Sequence, residues 1–456
     1  MSKKIFDVLV VGSGLSSMSF VEEYLKKKKK INIISPSFKK KYKNRINIRP
    51  DDKGLPPQFQ KNFSKIEDYF SLNNFLFNKK KCSLLGSLEL GGLSNYWGLQ
   101  IDKDIGTDLD SFGSSVKKKI IKCFIEILRE KSLLGSFQNY NNNFHISSFY
   151  ENLISQKRLK SKNFTINKSI LAIESKKRNG KKLTPKLIFE KIKTKTILHN
   201  FFVKKISKQK GLIYLQCFNE KKKKTFVTKK LILGAGTLAT TRLIMDYLNI
   251  KKEVSIKHHP RLISVYFGKS KILSNLDITP GLFQIKNNKE NYSGDIRPCS
   301  EMILNMSLKI YNFLKPFKSL LMLFKNYIFF SNNLLGTQYS NLFIKKHKDQ
   351  FRIYSKNKNT LKILKEKQNK IFYFLKKNKI IFPFYKNFFP GIGSDYHYFG
   401  TIPLGTHKLS VNKNCQLNKN NSIFIVDGSV LNFKKNLYPF GFVMANAKRI
   451  AKIINK

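Results

Sequence analysis

The chain has 456 residues, 41% hydrophobic and 13% aromatic, which excludes wholesale disorder and exceeds what one simple core accommodates. Lys and Arg number 87 against 28 Asp and Glu, a formal charge of +59, yet only ten of the 87 are Arg. Nucleic-acid readers concentrate Arg in a patch or motif, whereas lysine spread along the whole chain reads as solvated surface, so no specific nucleic acid is expected; a weak association with an anionic membrane surface or an anionic substrate stays open.

Met-Ser-Lys-Lys runs at once into Ile5–Val11, an apolar buried-strand pattern that leaves no room for a signal peptide. The five cysteines (Cys82, Cys123, Cys217, Cys299, Cys415) form no CxxC pair, which argues against a zinc site or a disulfide framework. A reducing, cytoplasmic location is expected, with a membrane-peripheral one as the variant. Gly12-Ser13-Gly14-Leu15-Ser16-Ser17 follows, then a helix over Met18–Leu25 and a strand, Ile31–Ile34, ending at Ser35. This is a βαβ unit with a dinucleotide-type turn. Gly12 makes the turn, Gly14 lets backbone approach a pyrophosphate, and Ser17 is the small residue that lets helix pack on strand. The pyrophosphate would rest on the helix N-terminus. Ser35 stands where an acid normally holds the ribose, and a hydroxyl hydrogen-bonds there less strongly than a carboxylate.

Residues 40–80 read as polar loop. Gly91-Gly92-Leu93-Ser94-Asn95-Tyr96-Trp97-Gly98 is a second Gly-rich turn, where main chain can lie against a flat ring. A helix over Val116–Glu130 precedes strands at Thr196–Val203, Leu212–Cys217, Phe226-Val227 and Leu231–Leu233. The last runs into Gly234-Ala235-Gly236 and a helix, Leu238–Leu248. From 262 to 390 the chain is aromatic and mixed, which suits a substrate domain whose sheet faces a cavity. Within it, 311–336 is apolar but broken by Lys315, Lys318 and Lys325, too short to span a bilayer. It reads as a core helix, with an amphipathic helix on a membrane or lining a cavity as the alternative.

The C-terminal blocks carry the chemistry. Tyr396-His397-Tyr398-Phe399-Gly400-Thr401 offers an imidazole, whose pKa near working pH suits proton transfer. A strand ends in Asp427-Gly428-Ser429, and Tyr438-Pro439-Phe440 opens a helix through Val443–Ile450. Proline at a helix start leaves the next N–H groups, of Phe440 and Gly441, free to face an electron-rich ring. His145, His199, His258, His347 and His407 have no comparable context.

Taken in order and spacing, these blocks, with Thr240-Thr241-Arg242-Leu243 and His259-Pro260, resemble the glucose–methanol–choline oxidoreductase family. The resemblance covers nearly the whole chain and is poor only over about 263–390. It implies an α/β (α+β composite) fold: a discontinuous Rossmann-like FAD-binding domain of residues 1–110, 196–262 and 392–456, and a mixed or antiparallel-sheet substrate domain of 111–195 and 263–391. It implies FAD held by Gly12, Gly14, Ser17, Ser35, Gly91, Gly92, Ser94, Asn95, Tyr96, Val203, Ala235, Gly236, Asp427, Gly428, Pro439 and Phe440. The FAD would be non-covalent, because Tyr96 stands in the loop where some relatives carry a flavin-linked His. The implied activity is oxidation of a CH–OH group of an alcohol or sugar-like substrate by hydride transfer to flavin N5, with oxygen, a quinone or a protein as electron acceptor. His397 would be the base and Tyr438 a donor to the substrate oxygen. The family carries His or Asn before the last Pro; a phenol of ordinary pKa about 10 is a poor base. Two rivals follow: a flavin-binding protein with altered or lost alcohol oxidation, through Tyr438 and Ser35, and a basic nucleic-acid or membrane-surface binder, supported by charge alone.

Overall fold

The computed structural model describes residues 4–36, 64–95, 97–131, 133–134, 144–146, 163–174, 182–274, 281–287, 289–299, 304, 312–356 and 359–456. The elements that position the site begin with β1 (Ile5–Val11), α1 (Leu15–Tyr24), β2 (Ile31–Ile34), α2 (Ser114–Glu130), β3 (Phe164–Lys168), β4 (Thr196–His199), β5 (Phe202–Gln209), β6 (Leu212–Phe218) and β7 (Lys223–Leu233). They continue with α3 (Thr237–Tyr247), β8 (Arg261–Gly268), β9 (Phe283–Asn287), β10 (Tyr292–Pro298), β11 (Ile328–Leu335), α4 (Thr360–Lys377), β12 (Ile381–Phe388), β13 (Asn420–Ile425) and α5 (Phe440–Ile454). The fold is α/β, as the sequence implies.

Five strands form a parallel layer in the order β13-β7-β1-β2-β4. Their last residues are in register: Val11 lies beside both Ile34 and Leu233, and Leu233 beside Ile425. These C-terminal halves are apolar runs buried on both faces, as strands of a parallel layer are. The four carboxyl ends therefore open at one level, where ligands bind in open α/β sheets. β7 begins as the third strand of the antiparallel meander β5-β6-β7 before entering this layer. The expected single strand Thr196–Val203 is two: β4 ends at His199, and β5 starts a separate hairpin at Phe202.

Helices α1 and α5 pack on one face of the layer, and α2 packs on α5, with Phe124 stacked 4.3 Å from Phe442. That stack sets α2 against α5 beside the parallel layer. Lys448 of α5 joins the three helices. Its Nζ lies 2.7 Å from Glu130, 3.2 Å from Glu126 and 3.5 Å from Glu23, and the side chain is 3% exposed.

The second sheet is antiparallel, in the order β12-β8-β11-β10-β9-β3. Alternation along its strands assigns each face. Tyr266 and Ser264 face α4, where Gln368 Nε2 donates to the Tyr266 hydroxyl at 3.3 Å. Arg261, Asp295, Arg297 and Asn332 occupy the opposite face. The sequence shows neither α4 nor the helix over Ser64–Leu72. The apolar run near 320 is no core helix: short helical turns over Asn312–Tyr327 bury neither Leu320 nor Leu323, and Leu323 is 76% exposed. Leu321 and Met322 alone pack inward, beside Phe330. Among the described residues no helix is long and apolar enough to cross a membrane.

Lys448→Ala should lower stability by about 1–3 kcal/mol, because three carboxylates lose a desolvated partner, whereas the more exposed Lys452→Ala should cost under about 1 kcal/mol. Urea unfolding of the two variants checks the difference.

Candidate functional site

A cleft open to solvent runs along the carboxyl ends of β1, β2, β7 and β13. Its floor is the first turn. Gly12 has φ +105°, and a Cβ there would lie 2.1 Å from the Gly234 carbonyl oxygen, so only glycine lets β1 and β7 close up. Ser17 is wholly buried and donates to that same carbonyl at 3.1 Å; it packs helix on strand and does not line the cleft. Gly14 caps α1 with no side-chain acceptor, and the first turn of α1 holds no acid. The N-terminus of α1 thus faces the cleft as an anion-binding end.

The second Gly-rich turn folds over the first. Gly91 and Gly92 both have positive φ, +99° and +53°. Ser94 Oγ accepts the Leu15 N–H at 3.1 Å, so its hydroxyl satisfies the start of α1. Ser13, which the sequence reading passed over, accepts the Gly91 N–H at 2.8 Å and shares a 2.7 Å hydrogen bond with Ser35. Ser35 lines the cleft, but with its hydroxyl already engaged. Asn95 stays outside the lining and donates to the Leu90 carbonyl at 2.9 Å, bracing the turn. Tyr96 lies outside the described residues.

Gly236 begins α3 at φ +86°, with nothing within 4 Å of where a Cβ would stand. Asp427 fixes this turn. Its Oδ2 accepts the Gly236 N–H at 3.0 Å and the Thr240 hydroxyl at 2.5 Å; its Oδ1 accepts the Ser429 N–H at 3.0 Å and hydroxyl at 2.6 Å. Burial pushes its pKa up, and those hydrogen bonds oppose the rise. Asp427 lines the cleft, yet its carboxylate is consumed in holding the chain. At the far end Val203 lines the wall, and its carbonyl accepts Arg242 Nη2 at 2.8 Å. Arg242, Tyr69 and Asn73 line this end too. None was singled out as a contact from the sequence; only Arg242 sat in a quoted block. Burial pulls the Arg242 guanidinium down to about 10, and its Nε has no partner.

The opposite end holds His397, between Tyr396 and Tyr398, with Phe440 beside it on the lining. Asp395 organises the segment: Oδ2 accepts the N–H groups of His259 at 2.8 Å and His397 at 3.3 Å, and Oδ1 pairs with His258 Nδ1 at 3.1 Å. His258, set aside in the sequence, is therefore part of the support. Burial drives His259 down to about 3 and lowers His397 as well; Asp395 opposes this for His397, and Arg261 and Arg297 reinforce it. His397 Nδ1 and His259 Nε2 have no protein partner. The His258-His259-Pro260-Arg261 run was the available signal for this layer. Tyr438 does not join His397 on the lining. It is buried, and its hydroxyl donates to Asp295 Oδ2 at 3.1 Å. Pro439 is off the lining as the cap of α5, with no side-chain cap bond.

The structure thus gathers Gly12, Gly14, Ser35, Gly91, Gly92, Ser94, Val203, Ala235, Gly236, His397, Asp427, Gly428 and Phe440 around one cleft, and leaves Ser17, Asn95, Tyr438 and Pro439 behind it. No protein-family model matches this chain, and no curated protein sequence does. Among solved structures it is similar to pyridoxine 4-oxidase from Mesorbium loti, with a TM-score of 0.60 at 10% identity over 98% of this chain and 99% of that one. At such identity the likeness establishes a shared fold.

Asp427→Ala orphans four donors at once and should cost about 2–4 kcal/mol, read by chemical unfolding; Asp427→Asn, which keeps one acceptor oxygen, should lose less.

Proposed function

We propose that this protein is an FAD-dependent oxidoreductase that oxidises a CH–OH group of an alcohol or sugar-like substrate, with His397 as the base. One observation carries this: a single cleft joins the Gly12–Gly14 turn to His397, with, at each end, a helix N-terminus that holds no acidic residue in its first turn. The α1 end suits a pyrophosphate, and the α5 end, at Phe440, suits the electron-rich edge of a flavin. The empty space at Gly236 and the positive-φ glycines of the second turn suit close approach by a flat, extended cofactor. Sharing the whole architecture with an oxidase adds support.

Bound there, FAD would supply a two-electron acceptor, which no side chain provides. This chain's residues supply the rest. Asp395 holds the main chain of His397, and the ring lines the cleft, where a neutral imidazole is able to take the hydroxyl proton. Desolvation penalises the imidazolium, so the neutral, basic form persists below the ordinary His value of about 6.5.

A second reading, a flavin-binding protein with altered or lost alcohol oxidation, draws on Tyr438, whose engagement with Asp295 removes it from the substrate. The two readings separate experimentally. Purified protein should absorb in the flavin bands, and an alcohol should bleach them anaerobically. His397→Ala should keep the cofactor and slow bleaching by about 10²–10⁴-fold. Full activity in that variant sinks the base assignment, and flavin that no hydroxyl compound reduces supports the second reading. The rate should stay level down to pH about 6.5 and fall only below it, since the depressed His397 protonates later than a free imidazole; anaerobic bleaching across pH 5–8 checks the sign.

A further inference from the structure

The inward face of the second sheet carries two arginines whose charges are met differently. Arg297 Nη2 and Nε lie 2.5 and 2.7 Å from Asp295 Oδ2, and Nη2 donates to Gln100 Oε1 at 2.8 Å. Arg261, on β8, has no hydrogen bond or ion pair among the described residues, and its Nε is enclosed without a partner. Its guanidinium lies 5.6 Å from the ring centre of Tyr396, which lines the cleft beside His397. It is near enough to His397 to depress that imidazole.

The carboxylates whose fields reach Arg261 are already taken. Asp395 accepts from His258, His259 and His397. Asp295 accepts from Arg297, from Tyr438 and from the Asn332 N–H at 2.7 Å. Arg261 is half-buried, with its Nε enclosed, and a partly dehydrated guanidinium without a protein acceptor favours a ligand that supplies one. Burial accordingly lowers the pKa of Arg261. Arginine's planar fork matches carboxylate and phosphate oxygens, which a neutral sugar or alcohol lacks.

We propose that the substrate of this site carries an anionic group, a carboxylate or a phosphate, that docks on Arg261 beside His397. The anion site stands on the geometry of Arg261; that its occupant is the substrate rests on the oxidoreductase reading.

Trp97 is the only tryptophan and packs 4.9 Å from Phe440 at the same end of the cleft, so its fluorescence reports binding without relying on turnover. The full chain is titrated at fixed ionic strength with glycolate, with inorganic phosphate and with ethylene glycol as the neutral control. A saturable response to at least one anion, and none to ethylene glycol, is expected. Stronger binding of glycolate identifies a carboxylate site, and stronger binding of phosphate a phosphate site. Arg261→Ala and the size-conserving Arg261→Gln should each weaken anion binding by about 10- to 100-fold, with Arg261→Lys recovering part. Circular dichroism identifies any variant that fails to fold, and the folded ones decide. No saturable anion response in the wild type, an equal response to ethylene glycol, or wild-type anion binding in Arg261→Gln would each overturn the proposal. Protein that binds anions through Arg261 but never holds flavin defeats the oxidoreductase reading and leaves the anion site standing.

Discussion

The site hangs on one buried carboxylate. Asp427 takes four hydrogen bonds, two of them from the start of α3, nearly two hundred residues away in sequence. Without Asp427, those donors would face a dry interior unpaired, and that cost exceeds the net worth of any single bond. The consequences run outward. With α3 pinned, Thr237 donates to the Tyr398 carbonyl at 2.5 Å, and Thr241 donates to Thr401 at 2.6 Å. The block that carries His397 is thereby held relative to the Gly12 turn. Asp427 lies on the cleft lining, and its carboxylate also ties the start of α3 to the end of β13.

What could be read from the sequence was local and periodic. The apolar run of β1, the Gly12–Gly14 turn and the strand ending at Gly234 are each encoded within a dozen residues, and in-register parallel pairing then brings their ends together. The unread part is polar and long-range. Ser94 satisfying the start of α1, Ser13 bridging Gly91 and Ser35, and Asp395 gathering three histidines depend on contacts between segments that no spacing reveals. The segment 312–327 misled for a different reason. Leu321 and Met322 pack against the cluster around Phe330, while Phe317, Leu320, Leu323 and Phe324 stay in water.

Tyr438 joins two distant segments of the chain. Where a second proton-handling group is expected, the phenol reaches across to Asp295 on β10. Asp295 raises its pKa further, beyond what burial does alone, so the hydroxyl keeps its proton and remains a donor. Arg297 closes the contact from the same sheet by donating to Gln100. The antiparallel sheet is therefore joined to the segments of Tyr438 and Gln100 by a charge-assisted chain: Tyr438, Asp295, Arg297, Gln100. Such a chain favours one relative position of sheet and cleft, because each member's hydrogen bond is directional and shielded from water.

The same contact clarifies the meaning of the large positive charge. Most of the lysines lie in solvent, where screening makes them nearly silent for stability and weak for recognition. Inside, cations are met individually: Lys448 by three glutamates, Lys286 by Asp102 at 2.7 Å, Arg297 by Asp295, Arg242 by two carbonyls. Among the described residues Arg261 departs from that rule: its Nε is enclosed without a partner, and its guanidinium lies over the ring of Tyr396, which lines the cleft. Net charge is thus a poor guide to what this protein binds. A single unmet guanidinium in a half-buried wall discriminates among ligands, because the same charge in open water would be satisfied by the solvent and would select nothing.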